Sequence, residues 1–211
     1  MKLRFLIVDD HVVVRRGVIQ ILSEHFKTAE FGEAASAQEA LDQIWKDGWD
    51  LVVLDISLPG RSGLDVLREL KQARPDVPVL ILSMHTEEEF ALRAIKGGAS
   101  GYLTKETIAN ELVAAAEKAL AGGEYIRPSI AEKLVSFLRS EERIAPHHSL
   151  SDREYQVLTM IAVGKTVKEI GAELSMSVKT ISTYRTRMLD KMKMKNDAEL
   201  IRYALQHKLI S

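Results

Sequence analysis

The first 120 residues alternate short, continuous apolar runs with helix-periodic stretches, and this alternation constrains the fold more than any other feature. "LRFLIV" (3–8), "DLVVL" (50–54) and "VPVLILS" (77–83) read as buried strands, "GYL" (101–103) as a shorter one, and the segment from Ala29 to Ala35 as a weak one. Between them Leu, Ile, Val and Ala recur at helical spacing over 12–25, 37–47, 64–73, 87–97 and 107–121. Five strands alternating with five helices predict an α/β fold with a parallel sheet covered on both faces. Pro59-Gly60 marks a turn, and Ser62 with Asp65 nearly matches a capping box ahead of the third helix.

The third strand run, "LVVLDISLPG", carries a carboxylate, Asp55, inside apolar sequence. A charge in such surroundings is costly unless it is paired or coordinated. Asp9 and Asp10 stand at the end of the first strand, Ser83 ends the fourth, and Lys105 follows the fifth. In a parallel α/β sheet all strand C-termini emerge on one edge, where ligands bind. The flavodoxin-like order 2-1-3-4-5 makes strands one and three neighbours, so Asp9, Asp10 and Asp55 are expected in one crevice. Three carboxylates there need a compensating cation. A hard divalent ion with oxygen ligands, Mg2+, meets that need, and Lys105 adds a second positive charge. Beside such an ion Asp55 is placed to accept a phosphoryl group, with Lys105 neutralising its oxygens. Taken alone, an Asp after a strand is more commonly a turn former. The four companions at the other strand ends are what favour chemistry. His11 is expected in the first turn of the following helix, pointing away from the cluster.

Other function classes fall to composition. The absence of cysteine excludes disulfides, zinc–thiolate sites and thiol catalysis. No apolar run approaches the roughly 20 residues that span a bilayer, and "FLIV", followed directly by "DD", is too short for a signal-peptide core. A cytoplasmic location is expected. The net charge of −1 conceals an asymmetry: from Ser151 onward 11 Lys and Arg face 7 Asp and Glu, while the remainder holds 18 and 23. An acidic first part joined to a basic tail predicts two partners of different kinds, the tail's being nucleic acid.

After "AGGEY" the rhythm changes. Ser129 and Glu132 form a capping box, and Ile130, Leu134, Phe137 and Leu138 share one face of an expected linker helix. "SEERIAPHHS" (140–149) is polar, proline-broken and unpatterned, and reads as a flexible joint. From Ser151 only helices are legible: "SDRE" is a capping box opening a helix through Val163, with Gly164 its stop. Further helices run from about Val167 to Leu174, from Val178 to about Lys193, and from Asn196 or Asp197. The expected domains are therefore 1–122, a linker at 123–149, and a small all-α four-helix domain at 150–211.

The second and third of these helices, joined by "SMS", have helix–turn–helix spacing. On the longer one Ile181, Tyr184, Met188 and Met192 share a face that should pack on the core. Lys179, Thr183, Thr186 and Arg187 fall opposite, with Ser182 on the flank. Small, polar and cationic side chains suit the major groove. Lys165, Thr166 and Lys168 are placed to hold phosphates. The plain alternative, a solvated charged face, is outweighed by the turn spacing and the shift to basic sequence.

"LIVDDH", "LVVLDISLPGRSGLDVL", "VLILSMH" and "GASGYLTKE" resemble, in order and spacing, the receiver domain of two-component response regulators over residues 3 to about 121. "LSDREYQVLTMIAVGKTVKEIGAELSMSVKTISTYRTRMLDKM" is similar to the LuxR-type helix–turn–helix over residues 150 to about 207. Together they resemble the NarL/FixJ subfamily. The resemblance implies that Asp55 is the phospho-acceptor and that Asp10 binds Mg2+ directly, with Asp9 close by or acting through water. It further implies a metal ligand in the Ser57 backbone carbonyl, contacts from Ser83 and Lys105 to the phosphoryl oxygens, and in Tyr102 an aromatic switch that turns inward on activation. Two departures stand out. Glu106 follows Lys105 where many receivers have proline, and Tyr184 stands where histidine is common.

The expected function is that of a DNA-binding transcription factor, not an enzyme beyond its own phosphorylation and dephosphorylation. The expected partners are a sensor histidine kinase, promoter DNA, a second copy on phosphorylation, and RNA polymerase as a candidate. One rival is a constitutive DNA-binding regulator whose receiver only dimerises. Another is an aspartyl-phosphate phosphohydrolase. Such enzymes commonly carry a second Asp two residues after the nucleophile, where this chain has Ser57.

Overall fold

The apolar runs form five strands, β1 (Arg4–Val8), β2 (Glu30–Ala34), β3 (Leu51–Asp55), β4 (Val79–Ser83) and β5 (Gly101–Thr104), in one parallel sheet of order β2-β1-β3-β4-β5. Between and after them lie α1 (Val12–His25), α2 (Ala37–Lys46), α3 (Gly63–Ala73), α4 (Glu88–Lys96) and α5 (Ile108–Leu120). This is a computed structural model that describes residues 2–46, 48–84, 88–128, 130–132 and 145–210. The chain divides into two units, Met1–Leu134 and Val135–Ser211.

Because strand side chains alternate faces, each apolar run supplies two cores. Phe5, Ile7, Leu51, Val53, Leu80, Leu82 and Leu103 pack with Val18 and Leu22 of α1 and with Leu112, Ala115, Ala116 and Ala119 of α5. The alternate positions Leu6, Val8, Val52, Leu54 and Ile81 are equally buried, and α2, α3 and α4 contact one another in sequence beyond them. Burying a Leu or Ile this fully contributes roughly 1.5–3 kcal/mol each. The strands read without interruption because both faces are covered.

Ser62 caps α3, accepting from the Leu64 amide. Gly63 then allows the helix to start against the end of β3: a Cβ there would lie 1.9 Å from the Asp55 carbonyl oxygen. That close approach anchors the strand end that carries Asp55.

Among its described residues the second unit holds a turn of 3-10 helix (Pro146–Ser149) and four helices, α6 (Asp152–Ala162), α7 (Val167–Glu173), α8 (Val178–Met192) and α9 (Asp197–Gln206). Each N-terminus is capped in the way its sequence dictates. Ser151 with Glu154 and Thr166 with Glu169 form complete capping boxes, and Ser177 and Asn196 accept from the amides of Thr180 and Glu199. Helix α6 contacts α7, α8 and α9, and α7 contacts α8, burying Tyr155, Leu158, Ile170, Ile181, Met188 and Leu200 completely.

The connecting segment is described only in part. Much of the linker helix (Ser129, Leu134, Phe137, Leu138) and of the joint (140–144) lies outside the described residues. The end of the joint is not unpatterned. Pro146 fixes the first position of the 3-10 turn, and His147, 6% exposed, places Nδ1 2.8 Å from the Tyr203 hydroxyl. At the other end, Tyr125 pairs with Gly101 of β5, so the chain just past α5 remains bound to the first unit.

Candidate functional site

Parallel pairing sets β1 beside β3 with Val8 opposite Leu54, so the residues that follow, Asp9 and Asp55, emerge side by side. One donor atom each from Asp9, Asp10, His11 and Asp55 lies within 4.8 Å of the others. Asp9 and Asp55 are 1% exposed, whereas Asp10 is half-buried. Lys105 closes the site: its Nζ lies 2.7 Å from Asp9 Oδ2 and 3.1 Å from Asp55 Oδ2. Its backbone amide donates to the Ser83 carbonyl at 2.8 Å, which continues the β4–β5 pairing and carries the lysine to the sheet edge. Glu106 leaves this geometry intact. Among the described residues no peptide bond is cis, and the lysine still spans both acids.

Burial pushes the Asp55 carboxyl up to about 6, against the opposing pull of Lys105; the neighbouring Asp9 pushes it the same way as burial. Burial lowers the Lys105 ammonium, but Asp55 and Asp9 outweigh this and hold it above its ordinary value. Asp55 Oδ1 is buried with no hydrogen-bond donor among the described residues. A lone buried carboxylate oxygen is costly, and with Asp9 and Asp10 beside it the donor set fits a hard divalent cation bound through oxygen. Ser83 is fully buried, Tyr102 is 3% exposed and Ser57 is half-buried.

His11 departs from expectation. It is the N-cap of α1, not part of its first turn. Its ring faces the acids, with Nδ1 2.8 Å from Asp10 Oδ1 and 3.2 Å from Asp9 Oδ1. The cause is local: the His11 amide donates to Asp9 Oδ1 at 2.8 Å, which folds the residue back over the cluster. Sequence reasoning also missed Arg15. This buried residue donates from Nη1 to the Asp9 carbonyl at 2.7 Å and from Nε to Glu33 at 2.8 Å, bracing the loop between β1 and α1. An arginine in register with Val18 and Leu22 on the buried stripe of α1 was the available sign.

In the second unit α8 buries Ile181, Met188 and Met192 and exposes Lys179, Ser182, Thr183, Thr186 and Arg187, which together line a shallow groove of about 320 Å³. Tyr184 does not join the core. It is half-buried and lines an adjoining hollow with Lys179, Thr180, Thr183 and Arg187. At 184 the helix has turned far enough from the line of Ile181 and Met188 to leave the ring at the margin. The hydroxyls of Thr183 and Thr186 donate to backbone carbonyls one turn earlier, at 2.9 and 3.0 Å, and present acceptor lone pairs outward. Of the three residues expected to hold phosphates, Lys168 is exposed, Lys165 is ion-paired to Glu173, and the Thr166 hydroxyl is absorbed in its capping box. "TVKE" is itself a capping-box pattern, the overlooked sign of that role.

The receiver-type sheet with its acidic edge and the separate helix–turn–helix unit define a class that comparison bears out. The family model of the response regulator receiver domain matches residues 5–117, and that of the bacterial regulatory proteins of the luxR family matches residues 148–204. The chain belongs to the response regulators of two-component systems, in the NarL/FixJ subfamily. It is similar to the response regulator UvrY of Escherichia coli K12, 36% identical over 97% of this chain and 94% of that one. It is likewise similar to the response regulator GacA of Pseudomonas protegens, 36% identical over 99% of this chain and 98% of that one. The fold is also that of the Salmonella typhimurium RcsB response regulator, with a TM-score of 0.61 at 23% identity, covering 96% of this chain and 98% of that one. No helix among the described residues is long and apolar enough to cross a membrane.

Proposed function

We propose that this response regulator is a phosphorylation-controlled transcription factor in which a sensor histidine kinase donates a phosphoryl group to Asp55. In that step an Asp55 carboxylate oxygen forms the new O–P bond, the P–N bond of phosphohistidine breaks, and the imidazole leaves with the electron pair. The observation that carries the reading is the burial of Asp55 beside Asp9 and within 3.1 Å of Lys105. Asp9, Asp10, Asp55 and the Ser57 carbonyl would hold Mg2+, which supplies charge neutralisation for the phosphoryl oxygens. Lys105 leaves its bridge to Asp9 and Asp55 to meet the incoming oxygens, and Ser83 donates its hydroxyl to one of them. Tyr102, which pairs with Ile81 and stands two residues before Thr104, the partner of Ser83, follows the movement of Ser83 as the switch.

In the second unit α8 enters the major groove. Lys179, Ser182, Thr183, Thr186 and Arg187 meet base edges, and Lys165, Thr166 and Lys168 lie towards phosphates, Thr166 chiefly by fixing the start of α7. Phosphorylation favours dimers, which suit paired half-sites. The setting is the cytoplasm, where kinase, promoter and RNA polymerase are available. A selection of double-stranded DNA by the full chain with and without beryllofluoride and Mg2+ tests this reading. Enrichment of a sequence motif that strengthens with beryllofluoride supports it. An identical selection in both arms favours a constitutive regulator instead.

A further inference from the structure

Thr107 stands at the start of α5 without capping it: its backbone is helical (φ −100°, ψ −2°) and its side chain makes no cap bond. Threonine at that position ordinarily turns its hydroxyl onto a helix amide. Here the hydroxyl points back, donating to the Thr104 carbonyl at 3.3 Å and lying 3.2 Å from the Thr104 hydroxyl, while it accepts from Arg127 Nη2. The same guanidinium grips Glu111, with Nε 3.2 Å from Oε2 and Nη2 3.0 Å from both carboxylate oxygens. Side-chain exposures of 30% and 24% set this forked pair apart from a loose surface contact.

Arg127 is itself held in place. The Tyr125 amide donates to the Ser100 carbonyl at 2.7 Å, and Tyr125 bridges Gly101 on the open edge of β5. A Cβ at residue 101 would lie 3.0 Å from the Tyr125 carbonyl oxygen, so glycine permits this close approach. The turn from Thr104 to Thr107 is thus fixed at one end by Arg127, and in its middle it carries Lys105, whose Nζ reaches Asp9 and Asp55.

We propose that Arg127 is a positioning residue for phosphoryl transfer: through the Thr107 hydroxyl it fixes the turn that holds Lys105 against Asp55. The inference rests on the reading of Asp55 as phospho-acceptor. It carries a consequence for control, because Arg127 belongs to the segment leading from the first unit towards the second. Drawing that segment away loosens Lys105, and, since coupling free energies are reciprocal, occupation of Asp55 alters the grip on the segment.

The test is the rate at which acetyl phosphate with Mg2+ phosphorylates the full chain, followed by intact-protein mass spectrometry. In that reaction the acetyl P–O bond breaks, acetate leaves with the electron pair, and Asp55 forms the new O–P bond. Arg127→Ala and Thr107→Val are each expected to slow labelling about threefold or more. Thr107→Ser, which keeps the hydroxyl, restores the rate. Thr107→Val leaves the Arg127–Glu111 pair in place, so it serves where Arg127→Ala destabilises the fold. Labelling of Thr107→Val at the wild-type rate overturns the inference, as does equal slowing by Thr107→Ser. A wild-type chain that takes up no label contradicts the assignment of Asp55 itself and is thereby distinguished from a failure at Arg127.

Discussion

Lys105 Nζ sits between two buried carboxylates, 2.7 Å from Asp9 and 3.1 Å from Asp55, although 96 and 50 residues of chain separate it from them. One ammonium against the three carboxylates of Asp9, Asp10 and Asp55 leaves the site with an excess of negative charge. That residual charge makes room for a divalent cation and, with it, a phosphoryl group.

The first consequence concerns stability. Asp55 has a carboxyl pushed up to about 6 from 3.8 in the unfolded chain, so its contribution to stability is complete below pH 4 and is lost as pH rises through 6. In Mg2+-free buffer at pH 7–8, Asp55→Asn is expected to stabilise the first unit by up to ~3 kcal/mol, with the gain fading towards pH 4. Denaturant unfolding of both proteins across this range checks it. Curves that stay parallel at every pH contradict it.

Mg2+ is expected to raise the melting temperature of the wild-type chain. At a hundredfold excess over Kd, binding adds about 2.7 kcal/mol. Asp10→Asn and Asp55→Asn should each remove most of that gain, whereas Lys168→Ala, in the second unit, leaves it whole. Thermal melts with and without Mg2+ separate these cases.

On the DNA side, Lys179→Ala and Thr186→Ala should each weaken specific binding, by about 1–3 kcal/mol where a base contact is lost. Neither side chain is buried, so the fold should survive both changes. Lys168→Ala should instead weaken binding on all sequences alike and reduce the salt slope by about 0.9. Binding isotherms at several salt concentrations check both.

Glu154 joins a helix cap to a distant helix: its carboxylate accepts from the Ser151 amide at 2.8 Å and from Lys191 at 2.6 Å. Burial pushes the carboxyl up, but Lys191 and Ser151 outweigh it and hold the group below its ordinary value. Its stabilising effect is therefore present above the unfolded value of 4.5 and is lost as pH falls through the lower folded one. Ser151→Ala is expected to cost about 1 kcal/mol, and Glu154→Gln to flatten the acid limb of the second unit's stability curve. Hydrogen exchange along α6 reads both.

The sequence was most informative where periodicity and position carried the information. The strand runs, the 2-1-3-4-5 order and the convergence of Asp9, Asp10, Asp55 and Lys105 follow from a parallel sheet whose strand ends share an edge. The helix–turn–helix followed from capping residues and turn spacing. Contacts decided by side-chain reach were hidden. His11 turns towards Asp10 because its own amide is drawn to Asp9. Thr166 serves its helix because Glu169 stands three residues on. Arg127 finds Glu111 and Thr107 only because Tyr125 folds back onto β5, a pairing that "GGEY" does not announce.

Whether Asp55 receives the phosphoryl group is read by peptide mapping with mass spectrometry after reaction with acetyl phosphate and Mg2+. A single modified peptide containing Asp55 is expected, absent without Mg2+ and absent in Asp55→Asn. A phosphoryl group found on another residue, or undiminished labelling of Asp55→Asn, would contradict it.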